Sequence, residues 1–309
     1  DWGTRMLAST SELYDPLIYN QGTVWPFLSG FAGLAAWEYG NPWAGIDLLR
    51  GLTTLTRDHS RGAIHEVLSG DRYEPMRPSV PHQLFSTSSL VTPLVRGLFG
   101  LDVDAVSRRV TLRPLLPAHW PAARIDDVPI GEGRLDFALA QRAGAPEITA
   151  RYEGPSPAPE LRFEPSLPPG VQDLDARVDG DPVAVEVSDR RGVFGVAPLT
   201  VEGESVSHVV WTWNGGVPVA FDGPRAEPAG ASVGLRVVAA DVAADGRLRF
   251  TVAGRPGYRY RMTSPAPLGI GDVDPVAIPG AAAAAGLEIR PVANGWSLDF
   301  AGTDGGYVA

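Results

Sequence analysis

The sequence contains neither cysteine nor lysine. Without cysteine there is no disulfide, no thiolate nucleophile and no Cys-ligated metal, and the redox environment of the protein stays open. The 26 basic side chains other than histidine are all arginine, and 36 acidic residues outnumber them, which gives a formal net charge of −10. This balance argues against a nucleic acid or an anionic membrane as partner. No run of about 18 apolar residues occurs, so we expect no transmembrane helix.

Motifs that would mark a metal, nucleotide or nucleophile site are also missing. The sequence has no HExxH spacing, no Walker or Rossmann glycine pattern and no GxSxG. His65 and His82 are too far apart in the sequence to indicate a metal site. The stretch GEGRLDF is typical of a hairpin turn rather than a phosphate-binding loop. We therefore expect neither a cofactor nor a bound metal.

The first hundred residues have the pattern of helices connected by long loops. In TVWPFLSGFAGLAAWEYG, the apolar residues Phe27, Phe31, Leu34 and Ala35 fall on one stripe at three-to-four spacing. Gly40 is expected to end this helix. The pattern predicts an amphipathic helix that packs through that stripe.

Two further helices are predicted in the same region. In NPWAGIDLLRGLTTLTRDHS, Asn41 is a suitable N-cap and Pro42 suits the first turn. The apolar face of this second helix is formed by Ile46, Leu49, Leu52 and Leu55 or Thr56. The third helix lies in HQLFSTSSLVTPLVRGLFG, with a kink at Pro93. Helices joined by long, aromatic-rich loops indicate an α/α array whose loops carry the function.

After Gly100 the pattern changes to short segments of alternating apolar and polar residues, such as RRVTLRPLLP, GRLDFALA and SHVVWTWNGG. Turn residues separate these segments, which is typical of an antiparallel β-sandwich. Trp211 and Trp213 share one side of a strand, and we expect both to face the core. PGAAAAAG indicates a flexible linker, and LEIRPV and WSLDF after it are weak strand candidates. The predicted fold is an α+β multidomain chain divided into 1–104, 105–265 and 266–309.

Two loops contain candidate functional residues. In IYNQGTVWPF, Tyr19 and Gln21 precede a helix that opens at Trp25, and such loops present side chains and free backbone N–H groups to a ligand. The alternative is that Trp25 is a core anchor. In GAIHEVLSGDRYEP, Glu66 lies beside apolar residues and could be a partly desolvated general base. The alternative is a solvated loop glutamate.

Four stretches of the helical region occur in one order at close spacing: DWGTRMLAST, YNQGTVWPFLSGFAGLAAWEYG, HEVLSGDRYEP and PHQLFSTSSLVTPLVRGLFGL. Together they resemble the C-terminal part of bacterial glycogen-debranching-type (amylo-α-1,6-glucosidase-like) glycoside hydrolases, which are inverting enzymes built on an (α/α)6 barrel. VTLRPLLPAHW and LRFEPSLPPGV resemble the β-sandwich that follows such barrels. The resemblance covers most of residues 1–265. It implies that 1–104 is the C-terminal portion of the barrel, a partial (α/α)6 toroid, followed by the sandwich at 105–265 and a linker with a short β tail at 266–309.

The resemblance also assigns roles to individual residues. Glu66 matches the family's general base. Tyr19, Gln21 and Trp25 match the sugar-binding loop. His65 is a further expected substrate contact, and Tyr73 is expected to close the wall of the site. Weaker candidates are Trp2 and Arg5 in DWGTR and His82 and Gln83 at the start of a barrel helix. The expected partner is an oligosaccharide or glycan.

Inverting hydrolysis needs a second carboxyl group as general acid. In the family this acid lies upstream of the stretch that matches Glu66, and no match for it precedes Glu66 here. We therefore expect the acid and the remainder of the barrel to come from a chain segment upstream, with Asp15, Asp71 or Glu74 as local alternatives. Three other interpretations stay open: a sugar-binding protein without hydrolysis, a related (α/α)6 enzyme acting on another sugar, and a structural β-sandwich protein.

Overall fold

A computed structural model describes residues 1–58, 61–142, 145–202, 206–265, 269–302 and 306–309. The described chain begins with three α-helices, α1 (Pro26–Glu38), α2 (Pro42–Asp58) and α3 (Leu84–Thr92), and a short π-helix (Pro93–Leu98). None of the described helices combines the length and the apolar character needed to cross a membrane.

Helix α1 forms where the sequence predicts a helix, but it packs through a different face. It begins at Pro26 and is followed by Gly40, whose φ of +74° is the left-handed conformation that ends helices. The predicted apolar stripe was wrong, because Phe31 is 54% exposed and Ala35 is also exposed. The buried face consists mainly of small residues and one large aromatic: Pro26, Ser29, Gly30, Gly33 and Trp37.

The close approach of α1 to α3 explains this inversion. A Cβ atom added at Gly30 would lie 2.4 Å from the carbonyl oxygen of Ser89, so only glycine fits there. Small residues let two helix backbones approach more closely than phenylalanine side chains would allow. Because the small residues of α1 face α3, the backbones of the two helices lie close together and the side of α1 that carries Phe31 faces outward.

Helix α2 follows the sequence prediction closely. The side-chain oxygen of Asn41 accepts a hydrogen bond from the N–H of Ala44 at 3.2 Å, as expected for an N-cap. The predicted apolar face is buried throughout: Ile46, Leu49, Leu52 and Leu55. Its first turn also joins the helical region to the β region, since the indole N–H of Trp43 donates to the carbonyl of Val219 at 2.7 Å.

The predicted interruption at Pro93 is present. Helix α3 ends at Thr92 and the chain continues as the π-helix from Pro93. Proline has no backbone N–H, and a local widening of the helix accommodates its ring.

The rest of the described chain is almost entirely β-structure. The strands are β1 (Leu101–Asp104), β2 (Arg109–Leu112), β3 (Ala122–Ile130), β4 (Gly133–Arg142), β5 (Ala145–Glu153), β6 (Glu160–Phe163), β7 (Ser166–Leu167), β8 (Val171–Val178), β9 (Asp181–Val183), β10 (Asp189–Arg191), β11 (Phe194–Val196), β12 (Leu199–Val201), β13 (Val206–Gly215), β14 (Ala220–Asp222), β15 (Arg236–Val242), β16 (Leu248–Ala253), β17 (Arg259–Thr263), β18 (Gly286–Val292) and β19 (Gly295–Ala301).

Two sheets of this region pack face to face. The larger has the order β3-β4-β5-β13-β8-β9 and the smaller β1-β2-β6-β12. Their inner residues meet at Phe163 and Trp211, whose ring centroids are 6.2 Å apart. Trp211 is fully buried and Trp213 is partly buried against the same core, in agreement with the predicted parity. The smaller sheet differs from a purely antiparallel one, because β2 and β6 pair in parallel.

The end of the chain belongs to a sheet rather than to a separate tail. β18 and β19 are the predicted strand candidates, and they extend a sheet of order β14-β17-β19-β18. The predicted flexible linker PGAAAAAG was wrong, because Ala281 and Ala284 are buried and the N–H of Ala284 donates to the carbonyl of Ala309. Alanine side chains are small enough to let this segment pack against the sheet. Residues 266–268, where the predicted boundary falls, lie outside the described residues.

The described chain is therefore a β-rich α+β fold with a small helical region. Three α-helices cannot close a toroid of six helix pairs on their own. The helices instead pack on one another through α1 and attach to the sheets through α2.

Gly45→Ala tests the close helix packing. A Cβ atom at this position in α2 would lie 2.7 Å from the ring of Trp37, which is itself 1% exposed. We expect the free energy of unfolding to fall by about 1–3 kcal/mol, because the core cannot accept the extra methyl group without shifting. Chemical denaturation measures it. Gly33→Ala in α1 is the control, since its nearest neighbour would be 3.5 Å away; equal losses in the two variants would contradict the packing explanation.

Candidate active site

The two loops singled out in the sequence lie side by side. Val24 and Leu68 exchange two backbone hydrogen bonds, each 2.9 Å long. Single bridges extend this pairing to Arg5 on one side and Pro75 on the other. We call residues 61–83 the Glu66 loop; the pairing holds it against the chain that leads into α1.

Glu66 is half-buried in the middle of this arrangement. Its N–H donates to the carbonyl of Val80 at 2.9 Å, which fixes the backbone. Its Oε1 accepts a hydrogen bond of 2.5 Å from the hydroxyl of Tyr19, and Nε2 of Gln83 lies 3.5 Å from the same oxygen. Oε2 has a single long contact, 3.5 Å from the N–H of Val80. One carboxylate oxygen is thus held firmly and the other can accept a further hydrogen bond.

Tyr19 is a partner of the carboxylate rather than an isolated aromatic. The hydrogen bond to Glu66, with a smaller contribution from burial, raises the pKa of Tyr19 to about 12. Its phenol therefore stays protonated and donates to Glu66 across the physiological pH range. The structure brings together Tyr19, Glu66 and Gln83, three of the residues predicted for the site.

Trp25 packs edge-on against Tyr19, with ring centroids 4.8 Å apart and an interplanar angle of 78°. Its indole N–H donates to the carbonyl of Tyr19 at 3.2 Å and to the hydroxyl of Thr23 at 3.0 Å. The side chain is half-buried. Trp25 therefore packs against Tyr19 on one side and is partly exposed to solvent.

Trp2 and Tyr73 occupy a different place from the sugar contacts predicted for them. They are 3% and 8% exposed and stack on each other with ring centroids 5.6 Å apart. The indole N–H of Trp2 donates to the carbonyl of Ser69 at 2.9 Å, and the hydroxyl of Tyr73 donates to Asp58. Both belong to a small buried cluster that also contains Ile64 and Leu68 of the Glu66 loop, and burial of their rings removes a large apolar surface from water.

The positions of Gln21, His65 and His82 neither support nor contradict the sugar contacts predicted for them. Gln21 is half-buried, and its N–H closes a turn by donating to the carbonyl of Ile18 at 2.9 Å. His65 is 8% exposed and precedes Glu66 in the chain, whereas His82 is exposed. Their role in sugar binding stays a prediction.

One residue of this region was missed by the sequence analysis. Tyr14 donates a hydrogen bond of 2.5 Å to Asp71, and burial and this bond together raise the pKa of Tyr14 to about 12. Arg5 lies 3.6 Å from the same carboxylate. The sequence contains no signal for Tyr14, because its partner is 57 residues away in the chain.

The described residues contain no group of three or more histidine, aspartate or glutamate side chains that could hold a metal ion.

Comparisons with known proteins give distant similarities. No family model and no curated protein matches the chain. Among solved structures it is similar to an alpha-L-rhamnosidase from Dictyoglumus thermophilum, with 11% identity and a TM-score of 0.38, over 60% of this chain and 20% of that one. It is also similar to a GH127 beta-L-arabinofuranosidase from Geobacillus stearothermophilus T6, with 11% identity and a TM-score of 0.28, over 64% of this chain and 32% of that one.

A third solved structure, described as a glycoside hydrolase, has 11% identity and a TM-score of 0.33, over 92% of this chain and 48% of that one. The chain thus spans a fifth to about half of the length of these three proteins. TM-scores of this size do not establish a common fold.

Tyr19→Phe tests the hydrogen bond to Glu66. We expect the free energy of unfolding to fall by about 1 kcal/mol at pH 8, because a charge-assisted bond in a half-exposed site is lost. The folded pKa of about 12 lies above the ordinary value of 10.0. The stabilisation is therefore complete below pH 10 and disappears as the pH rises through 12.

Urea denaturation of both proteins at pH 8, 10 and 11 measures this difference. Tyr39→Phe is the control, because that side chain is 84% exposed. A stability difference that does not shrink above pH 10 would show that Tyr19 is not bonded to Glu66 in solution.

Proposed function

We propose that this chain contributes the general base, Glu66, and part of the sugar-binding surface of an inverting glycoside hydrolase that acts on α-glucosides or oligosaccharides, of the debranching type. The observation that carries the proposal is the half-buried Glu66 carboxylate, which is held at one oxygen by Tyr19, while the partly exposed ring of Trp25 packs against Tyr19. Aromatic rings beside a positioned carboxylate suit a sugar, whose C–H faces pack on them.

The two carboxylate oxygens have different roles in this mechanism. Oε1 is anchored by the phenol of Tyr19, and Oε2 accepts a hydrogen bond from the attacking water. Glu66 takes one proton from that water while the water oxygen forms a bond to the anomeric carbon. The bond from that carbon to the leaving oxygen breaks on the opposite face, and the general acid protonates the leaving oxygen.

The general acid is proposed to lie on a segment upstream of this chain. An inverting pair of carboxyl groups is about 6.5–9.5 Å apart, so that the water fits between them. Of the local alternatives, Asp71 is already engaged by Tyr14 and Arg5, and Asp15 accepts the N–H of Leu17 at 2.9 Å. Both are committed to structural contacts, which favours an acid from outside.

An exposed aromatic face of the helices supports an upstream partner of helical structure. Phe27 packs edge-on against Phe31 at 5.1 Å and lies 5.5 Å from Phe85 across the α1–α3 boundary. Phe31 is 54%, Phe85 60% and the neighbouring Leu84 73% exposed. An apolar cluster of this kind on two adjacent helices is typical of a surface covered by other protein. We propose that the remaining helices of an (α/α)6 barrel cover it.

A sugar-binding protein without hydrolysis is the second candidate. The engagement of Asp71 and Asp15 in structural contacts favours it if no upstream segment supplies an acid. Binding would then use Trp25 and Tyr19 and would not depend on proton transfer at Glu66.

Glu66→Gln separates these candidates. In the enzyme assembled with its upstream segment, we expect kcat to fall by about 10²–10⁴-fold with KM little changed, because glutamine cannot take the proton. Hydrolysis of an α-linked glucoside, followed by NMR of the first-formed anomer, should give β-glucose in the unaltered enzyme. Glu38→Gln, at the exposed end of α1, is the control. Quenching of tryptophan fluorescence by oligosaccharides should persist in Glu66→Gln.

The other possible results of the Glu66→Gln experiment distinguish the remaining candidate functions. Sugar binding without turnover in both proteins would favour the second candidate, and no response to any sugar would leave a structural protein. Turnover by this chain alone would overturn the upstream acid and point to Glu74, Asp71 or Asp15.

The double substitution Phe31→Ser and Phe85→Ser tests the covered face. Both side chains are more than half exposed, so we expect the stability of this chain alone to change by less than about 0.5 kcal/mol for each substitution. Association with the co-expressed upstream segment should be lost, as measured by co-purification. Val106→Ser is the control, because that side chain is 97% exposed in the β1–β2 turn. Unimpaired association of the double variant would contradict the assignment.

A further inference from the structure

The carboxylate of Asp1 sits in a cradle formed by a distant part of the chain. Both its oxygens accept backbone hydrogen bonds of 2.8–3.1 Å, and the hydroxyl of Ser232 adds one of 2.6 Å. The backbone donors are the N–H groups of Ala226, Val233 and Gly234. A Cβ atom at Gly234 would lie 2.7 Å from Oδ1 of Asp1, so glycine is needed for this approach. We call residues 226–234 the brace segment.

The brace segment is itself fixed from behind. The hydroxyl of Tyr260, in β17, donates to the carbonyl of Val233 at 2.7 Å. The hydroxyl of Tyr307 donates to the carbonyl of Gly234 at 2.8 Å and lies 2.8 Å from the hydroxyl of Ser232. These contacts are buried, so residues 232–234 of the brace segment are held by hydrogen bonds to the β region.

The same segment also touches the Glu66 loop directly. The N–H of Tyr73 donates to the carbonyl of Gly230, and the N–H of Ala229 donates to the carbonyl of Tyr73, each at 2.9 Å. Nη1 of Arg72 lies 3.2 Å from the carbonyl of Ala229. Arg72 and Tyr73 of the Glu66 loop are thereby bound to the brace segment.

Residues 1–5, which we call the strap, connect the cradle to Ser69 and Gly70 of the Glu66 loop. The indole of Trp2 holds the carbonyl of Ser69 at 2.9 Å, and Nε of Arg5 holds the carbonyl of Gly70 at 2.7 Å. Arg225 reinforces the anchor, since it contacts both the carbonyl of Asp1 and the carboxylate of Asp47. The strap thus fastens consecutive carbonyls of the loop to a carboxylate anchored in the brace.

We propose that Asp1 is a positioning residue for Glu66, and that its carboxylate, through the strap and the brace segment, holds the Glu66 loop in the conformation that pairs Glu66 with Tyr19. The catalytic meaning of this positioning rests on the proposed function; the mechanical coupling does not. A carboxylate that accepts several N–H bonds is among the strongest local anchors available. A general base displaced by about 1 Å loses on the order of 10²-fold in rate.

Asp1→Asn tests the coupling in the intact chain, without sugar or turnover. Amide hydrogen exchange should accelerate about tenfold or more in peptides covering residues 64–75 and 226–234, because one carboxylate oxygen becomes an NH₂ group that cannot accept the N–H bonds. Exchange in the β3–β4 hairpin should stay unchanged. Ser232→Ala, a milder change of the same cradle, should shift exchange in the same peptides, and it keeps the test available if Asp1→Asn does not fold.

A second readout reports on Tyr19 itself. The phenolate absorbance of Asp1→Asn minus that of the double variant Asp1→Asn/Tyr19→Phe gives the absorbance of Tyr19 alone, because the other tyrosines are common to both proteins. This difference reports the ionised fraction of Tyr19 when the Asp1 carboxylate is absent. The same difference for the unaltered chain and Tyr19→Phe gives the reference. At pH 11 about one-tenth of Tyr19 should be ionised in the reference, and the fraction should rise toward about nine-tenths when the bond to Glu66 is lost. Circular dichroism at pH 11 confirms that each protein is folded.

Asp104→Asn is the matched control, because Asp104 also accepts two backbone N–H groups and a serine hydroxyl, but in the β1–β2 turn. Unchanged exchange at 64–75 in both cradle variants would overturn the proposal. Acceleration spread equally over the whole chain would also overturn it, since that marks a general loss of stability. So would an unaltered ionisation of Tyr19, since the Tyr19–Glu66 bond would then not depend on Asp1. Loss of sugar turnover in Glu66→Gln bears on the proposed function and leaves this outcome unaffected.

Discussion

The pairing of Val24 with Leu68 is the constraint on which the candidate site depends. Its two backbone hydrogen bonds align the chain entering α1 with the loop that carries Glu66, so that Tyr19 and Glu66 meet although 47 residues separate them. The pair lies over a small apolar core of its own, formed by Trp2, Val24, Leu52, Leu55, Ile64, Leu68 and Tyr73. Burial of that cluster pays the conformational entropy of ordering two long loops.

The β region contributes to the site by support rather than by chemistry. Its brace segment meets the Glu66 loop at Tyr73 and receives the carboxylate of Asp1, while its own carbonyls are held by Tyr260 and Tyr307. These external contacts add to the hydrogen bonds within the Glu66 loop, such as those from the N–H of Ser69 to the carbonyl of Glu74 and from the N–H of Gln83 to the carbonyl of Ile64. The β region therefore helps to hold the Glu66 loop in place, although Glu66 and Tyr19 lie in the helical region.

The comparison of α1 with α2 shows where pattern reasoning succeeds. The buried face of α2 was predicted correctly, because large aliphatic residues at helical spacing form one stripe, which is buried only when that side of the helix faces the core. The face of α1 was predicted wrongly, because the rule assumes that the largest apolar residues are buried. Gly30 allows a close approach of α1 to α3, and Phe31 of the aromatic stripe stays exposed. The prediction of a flexible linker at PGAAAAAG was wrong for the same reason, since small residues occur both in flexible linkers and in tightly packed segments.

A resemblance to a known family singled out Glu66, and its role stays a prediction. Local pattern alone determined the positions of the helices and of most strands and the change of architecture near Gly100. These features depend on neighbours within a few positions, which the sequence displays directly. Only the tertiary structure decided that Tyr19 is the partner of Glu66, that Trp2 and Tyr73 are core residues and that Asp1 is held by the brace segment. Those outcomes depend on pairings across 47 to 233 residues, and a separation of that length leaves no periodicity from which to read them.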